Sequence, residues 1–493
     1  MKSGRYFIGN GIRGSDLIRY AFLVFLYLCL YSIVKAGGKD FKEDKNAVHI
    51  LEGLPADFPK FKITVSNNPD PDYLFLGVTS ANNPYIMILD NNGRPIFYKR
   101  TPSGTYDFKV QPNGLLTYYD MKSGCYYAMD STYAVVDSFK CENGYTTDIH
   151  ELRLLPNGHA LLIGRDTRTM DLSKTISGGS THASVIGNVI QELDKNKNVV
   201  FQWLCWDHLD ITDSYYDLTQ STIDFTHANS IDIDDDGNLI VSFRNLQEID
   251  KIDRETGNII WRFGGKKSQF KLLNDSLGFS WQHAARKLTN GNIILFDNGC
   301  KRQPALMSFS RAVEYKLNTQ SNTAEMVWQF RNTPDIYSIG LGYAQRLNNG
   351  NTLIGWGAAL PTVTEVRPDG TKSFEISFQE NIYSYRAYRF PWKGKVSPSN
   401  VNKNKLAEFS LSQNFPNPFN SKTVINYQLA TGSYVKLKVY NSLGKEVAIL
   451  VNGNKPAGKY SVTFGSSILS NGVYFYRLNA GAFVSTRKMM ILK

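Results

Sequence analysis

Three of the seven histidines in this 493-residue chain stand at related positions of one repeated pattern. The pattern is a strand-like run, a turn ending in glycine, and a second run. It occurs at Pro112-Asn113-Gly114, Pro156-Asn157-Gly158, Asp235-Asp236-Gly237, Thr289-Asn290-Gly291 and Asn348-Asn349-Gly350. Eight residues before these glycines lie Tyr106, His150, Asn229, His283 and Gly342; two residues before Asn229 lies His227. Seven residues after the last four glycines come Arg165, Arg244, Asn298 and Gly357. Gathered at one place, these groups suit an anionic, oxygen-rich ligand. Guanidinium and amide groups donate hydrogen bonds to it, and a neutral imidazole is a nucleophile and proton carrier near pH 7. A single histidine at a strand start also serves simply to satisfy a buried carbonyl; three in one register favour a shared site. His159, His182 and His208 lack the register and are read as structural. Arg165 and Arg244 have Asp166 and Glu248 as candidate ion-pair partners.

The elements that must position these side chains are hairpins. Asn-Gly and Asp-Gly favour tight turns because both turn positions need positive φ. A second kind of hairpin, with a polar turn and an aromatic outgoing strand, falls between the first kind at 88–100, 192–204, 251–263, 314–330 and 365–378. Two hairpins per repeat make a four-stranded sheet, and repeats of this size imply the blades of an all-β propeller. Counting both hairpins gives a six-bladed propeller over 70–395, its last strand near Tyr385-Arg386-Ala387-Tyr388-Arg389-Phe390. The first strand of each blade starts beside the central axis, so the registered residues should converge there. Unequal spacing of the glycines implies long insertions at 167–190, 206–226 and 265–280, and loops of that length often carry function.

Lys+Arg number 55 against 44 Asp+Glu, a formal net charge of +11, but the excess sits at the ends. Residues 1–40 hold six basic and two acidic side chains, and residues 401–493 hold twelve and two. Residues 41–400 therefore hold 37 basic and 40 acidic ones, which argues against a nucleic-acid-binding body. At 42% hydrophobic and 13% aromatic, with 39 Gly, the chain can bury a large turn-rich β core and is not disordered. Lys2, Arg5, Arg13 and Arg19 precede the apolar run Ala21–Val34, and Val34-Lys35-Ala36 offers small residues for cleavage, so residues 1–36 read as a signal peptide. Residues 37–69 form an N-terminal extension, 396–405 a Lys/Ser/Asn/Pro linker, and 406–493 a small C-terminal β-sandwich.

Cys125, Cys141, Cys205 and Cys300 remain after export. They could pair, but free buried thiols fit a large β core better, and their spacing matches no metal motif. Asp232 to Gly237 mimics half a calcium loop, yet position twelve is Phe243 rather than Glu. Phe263-Gly264-Gly265-Lys266-Lys267 lacks the spacing and helix of a phosphate loop. No metal or cofactor is expected.

Two resemblances are carried by specific residues. Gln413 to Asn420 (Gln-Asn-Phe-Pro-Asn-Pro-Phe-Asn), Val439 to Gly444, Gly472 to Tyr476 and the final Lys-rich strand resemble the C-terminal sorting domain of the type IX secretion pathway. That implies a partner in the secretion machinery, passage across the outer membrane of a Bacteroidetes-like cell, and contact with membranes only during export. Residues 70–390 resemble the bacterial arylsulfotransferase family, most specifically at His227-x-Asn229, Arg244 and Trp281-Gln282-His283. The resemblance implies transfer of a sulfuryl group from an aryl sulfate donor to a phenolic acceptor without a nucleotide donor. It casts His283 as the histidine transiently sulfated, and His150, His227, Asn229 and Arg244 as groups on the sulfuryl and leaving oxygens; Arg165 and Asn298 complete the candidate site. The other classes open to the sequence are a surface-displayed binding propeller and a quinone-dependent dehydrogenase propeller. The last would need a calcium site and more blades.

Overall fold

The computed structural model describes residues 54–79, 84–300, 308–379, 381–394, 409–429, 432–456, 458–467, 469–481 and 483–492. The expected signal peptide and linker lie outside these residues. Among the described residues there is no α-helix, and no helix long and apolar enough to cross a membrane.

Between residues 61 and 390 the described strands make six mainly antiparallel sheets that follow one another along the chain. Their innermost strands are Tyr383–Phe390, Thr105–Val110, Thr146–Leu154, Ala228–Ile233, His283–Lys287 and Tyr343–Arg346, and each lies against the next around a closed ring. The cores between sheets close the same ring. Phe75 packs with Phe108, Tyr126 with Leu152, Leu161 with Ile231, Ile249 with Leu295, Phe296 with Ile354, and Leu353 with Leu76 in six successive apolar clusters. This is a β-propeller.

Each sheet is covered on both faces by its neighbours, so middle strands such as Leu239–Phe243 are buried throughout instead of alternating. Every residue of Leu239–Phe243 is buried, whereas the outer strand Val135–Phe139 exposes four of its five residues. The ring is closed by pairing the two ends of the domain. Tyr383–Phe390 runs antiparallel to Tyr73–Thr79 and becomes the inner strand of the first sheet.

Three expectations need correcting. Phe61–Ser66, placed in a separate extension, is a fifth, outer strand on the sixth sheet, paired with Lys372–Phe378. The insertion at 167–190 is mostly not a loop: Ala160–Met170 and Ala183–Leu193 form one long hairpin, with a turn only across 171–182. The segment 265–280 adds Lys271–Leu273 as a parallel edge strand beside Thr323–Arg331. The remaining insertion holds two short 3-10 turns, Cys205–Asp207 and Ile211–Asp213, then Thr222–Asp224 paired parallel to Ala183–Leu193.

Other motifs resolve as structure. The acidic turn Asp234 to Asp236 is held by Lys251 and Lys287, so its carboxylates neutralise ammonium groups in a hairpin. Lys266 spends its Nζ on Thr212 and Ser214 carbonyls, which staples the insertion to the fourth sheet. Cys141 and Cys205 are buried free thiols, Cys300 is buried, and Cys125 is free and half-buried.

Residues 410–491 form two further sheets, one of Ser410–Leu411, Lys422–Leu429 and Gly458–Gly465, the other of four strands including Ser433–Asn441 and Gly472–Ala480. Here burial alternates along the strands, as in Lys422–Leu429, because each sheet has one inner face. Leu437, Tyr476 and Ile491 centre a core of its own.

Candidate active site

Local backbone irregularity brings the histidines to the axis. The pairing register slips between Tyr106 and Lys109, Ala228 and Ser230, and His283 and Arg286, so the inner strands are bulged where the site lies. A bulge adds a residue to one strand and re-aims its side chains. His227, Trp281, Ala284 and Leu341 all hold φ between 52° and 65°. For non-glycine residues this left-handed backbone costs of order 1 kcal/mol or more each, strain that the surrounding packing must hold.

One ring nitrogen from each of His150, His227 and His283 lies within 4.8 Å of the others. Ring centroids are 4.8 Å apart for His150–His227, 6.5 Å for His150–His283 and 6.3 Å for His227–His283. His150 and His283 are buried, and the His227 side chain is about nine-tenths so.

Each imidazole is oriented through Nδ1. His150 Nδ1 donates to Asp148, whose other oxygen takes the Arg165 Nε proton. His227 Nδ1 donates to Asp224. His283 Nδ1 sits 2.7 Å from Asn298 Oδ1, and the Asn298 amide nitrogen donates to the Ser338 and Leu341 carbonyls at 3.0 Å each. With its NH2 spent on carbonyls, Asn298 presents only its oxygen to the ring, so His283 carries its proton on Nδ1 and its lone pair on Nε2. The Leu341 N–H points at that Nε2 from 3.3 Å.

The sixth sheet thus supplies a backbone group where other sheets supply side chains. Gly342 and Gly357 occupy its registered positions. A Cβ at Gly342 would meet the Phe296 ring at 2.4 Å, and one at Gly357 would meet the Gly340 carbonyl at 2.6 Å. Both have positive φ, at 103° and 63°. Only glycine lets this loop pack so closely on Phe296 and on its own backbone.

Electrostatics keep His227 and His283 neutral and the carboxylates charged. Burial, then the nearby Arg244 charge, pushes His227 down to about 4 against the pull of Asp224. Burial, followed by Arg244 and the other two histidines, holds His283 well below the usual imidazole value. Burial alone would raise Asp148 and Asp224. Arg165 and His150 outweigh it at Asp148, and His227 with Arg244 at Asp224, so both carboxyls lie below the usual range.

The ion pairs expected for the arginines are not the ones formed. Arg165 pairs with Asp148, while Asp166 takes Arg168 at 2.9 Å. Glu248 takes Arg262 at 2.7 Å, and Arg244 lies 4.2 Å over the Trp281 ring with its Nε donating to Asn245 Oδ1 at 3.0 Å. Asn229 also takes a different place. Its amide donates to the Gln282 carbonyl at 2.8 Å and its oxygen accepts from the Ala284 N–H at 3.2 Å, so it clamps the backbone on both sides of His283. In this structure Asn229 and Asn298 thus engage the backbone and the ring of His283.

Several contributors were not anticipated. Asp148 and Asp224 orient two histidines, and Tyr385 packs edge-on against His150 at 5.7 Å with its hydroxyl on the His150 carbonyl. Beside them, the axis is filled by a buried network. Lys109 binds Asp107 and Glu151; Arg286 binds Glu151; and Arg386 binds Asp107, Glu151 and the Asn229 carbonyl. Asp107 and Glu151 follow Tyr106 and His150 directly, the signal that could have found them.

Comparisons with known proteins bear on the family of each part of the chain. Residues 413–492 match the secretion system C-terminal sorting domain. The arylsulfate sulfotransferase AssT of Escherichia coli is 24% identical over 445 residues, covering 73% of this chain and 70% of that protein. AssT of Lelliottia amnigena is 23% identical over 424 residues, covering 70% of this chain and 67% of its own. A Bacteroides caccae protein of unknown function is 13% identical, with a TM-score of 0.42 over 64% of this chain and 98% of its own. The arylsulfotransferase family matches residues 59–389, two thirds of the sequence and nearly the whole ring of sheets, and the chain belongs to that family.

Proposed function

We propose that the protein moves a sulfuryl group from a phenolic sulfate ester to a phenolic acceptor through a sulfohistidine on His283, and that its C-terminal domain directs it to the cell surface or beyond by a type IX-like route. The observation that carries the reaction is the convergence of three imidazoles whose Nδ1 atoms are all tied back.

His283 Nε2 attacks the sulfur of the aryl sulfate, and the S–O bond to the aryl oxygen breaks. The phenolate, with a parent pKa near 10, leaves more readily if it receives a proton. His227, held near 4, is a poor donor at neutral pH. We assign the acid role to His150, whose Nδ1 is held by Asp148, a carboxylate that also binds Arg165. In the second half-reaction His150 takes the acceptor's proton, and the acceptor oxygen attacks the sulfur as the S–N bond to His283 breaks. Such acid–base assistance contributes about 10²–10⁴-fold. Arg244, whose charge reaches both His227 and His283, faces the negative charge on the equatorial oxygens, and the Leu341 N–H stands beside them.

The test is His283→Asn, assayed with a chromogenic aryl sulfate and phenol. Turnover should vanish while the fold survives, because an amide cannot carry the sulfuryl group. Wild-type protein quenched with donor alone should carry an acid-labile adduct of sulfate mass on the peptide containing His283. An active Asn variant with no adduct would sink the mechanism, and an adduct on His150 or His227 would reassign it.

A further inference from the structure

We infer that His150, His227 and His283 also form a binding site for a borderline divalent transition-metal ion, Zn²⁺ or Co²⁺, and that the ion occupies the place of the sulfuryl group and so blocks the enzyme reversibly.

Two independent features support this. The first is proximity: one ring nitrogen from each histidine within 4.8 Å of the others. Zinc–imidazole bonds of about 2.0–2.1 Å put tetrahedral ligand nitrogens roughly 3.3 Å apart. The three rings therefore need to close by at most about 1.5 Å. The second is orientation. Each Nδ1 is already engaged, two by carboxylates and one by an amide oxygen, which makes Nε2 the ligand atom of all three; at His283 an ion would displace the Leu341 N–H, now 3.3 Å from Nε2. Imidazoles backed by carboxylates or amide oxygens are the usual form of histidine metal ligands, because the partner fixes the tautomer and raises ligand basicity.

The Arg244 guanidinium near His227 and His283 works against a cation, and two carboxylates offset it. Asp148 and Asp224 bring two negative charges next to two of the ligands, and Arg165 and Arg244 bring two positive ones, so the surroundings are balanced. Three histidines leave a fourth position for water or an anion. Ligand chemistry selects the class: three imidazoles suit zinc and cobalt, and calcium or magnesium would want oxygen ligands.

Competition with the aryl sulfate rests on the function proposed above; the metal site does not. The experiment therefore reads binding without activity. Chelator-treated full-length protein is titrated with Co²⁺, following the visible d–d absorption, and then with Zn²⁺ in competition. One ion per chain is expected, with the cobalt band lost in both His150→Ala and His227→Ala. Asp148→Asn should bind about 10–100-fold more weakly, the usual cost of losing a carboxylate behind a ligand. Retention of the band in both alanine variants, with their folds intact by circular dichroism, would place the ion elsewhere and overturn the proposal. So would the absence of one-to-one binding. Stoichiometric Zn²⁺ should also abolish aryl sulfate turnover, restored by chelator. Full activity with the ion bound would overturn the shared site, whereas an inactive protein that binds Co²⁺ one-to-one would count against the sulfotransferase reading alone.

Discussion

The reactivity proposed for His283 depends on which nitrogen carries its proton, and Asn298 makes that choice. Asn298→Ala removes the acceptor at 2.7 Å from Nδ1, so the ring is free to turn or to protonate Nε2. We expect kcat to fall about 10²-fold with KM changed far less, since the defect lies in the nucleophile. Steady-state kinetics with adduct mass spectrometry checks it, and an equal loss in KM would contradict it. The same residues set the response to acid. His227 titrates near 6.5 when unfolded and near 4 when folded, so between those values the unfolded chain binds more protons. Stability therefore falls as pH drops from about 6.5 toward 4. The lowered carboxyls of Asp148 and Asp224 extend the loss below that, as their stabilisation fades on protonation. Urea midpoints from pH 7.5 to 4 should decline, and His227→Asn should flatten the upper part of the curve.

At the scale of the strand, the turn glycines made the site partly legible. Counting back from Gly158, Gly237 and Gly291 reaches His150, Asn229 and His283, because each inner strand has the same length from axis to turn. The count says which residues start a strand but not which way each side chain points. Bulges at these starts break the two-residue alternation, so Tyr106 and Asp107, like His150 and Glu151, are all buried at the axis. For the same reason Asn229 and Asn298 could be located but not assigned: their amides face backbone, which no spacing rule reveals. Arg386 was out of reach altogether. It lies on the closing strand, which pairs back to Tyr73–Thr79 and leads into no registered turn. Its side chain is fully buried and answers both Asp107 and Glu151, so Arg386→Met should leave those buried carboxylates with only Lys109 and Arg286 and cost about 3–5 kcal/mol. Urea unfolding measures this. A variant within about 0.5 kcal/mol of wild type would mean that Lys109 and Arg286 suffice to hold both acids.

At the scale of the molecule, charge and core divide in the same place. Residues 41–400 carry a small negative excess, whereas 401–493 carry twelve basic and two acidic side chains. The six clusters of the ring share no residue with the tail's own core around Leu437 and Tyr476. All the histidines of the site, and the groups that orient them, lie between residues 148 and 341. A tail with its own core contributes little to the stability of a domain whose ring is closed by its own last strand. Stopping the chain after residue 400 should therefore leave aryl sulfate turnover and the adduct on the His283 peptide unchanged, and shift the melting temperature of the propeller by no more than a degree or two. The tail matches a sorting domain over 413–492, so the change should fall on destination: activity lost from the cell surface and medium and recovered from the periplasm. Fractionating cells that express the full and shortened chains, and assaying each fraction, tests both halves at once. A shortened chain that fails to fold would show that the tail is part of the enzyme. A shortened chain that still reaches the surface would show that export does not depend on the tail.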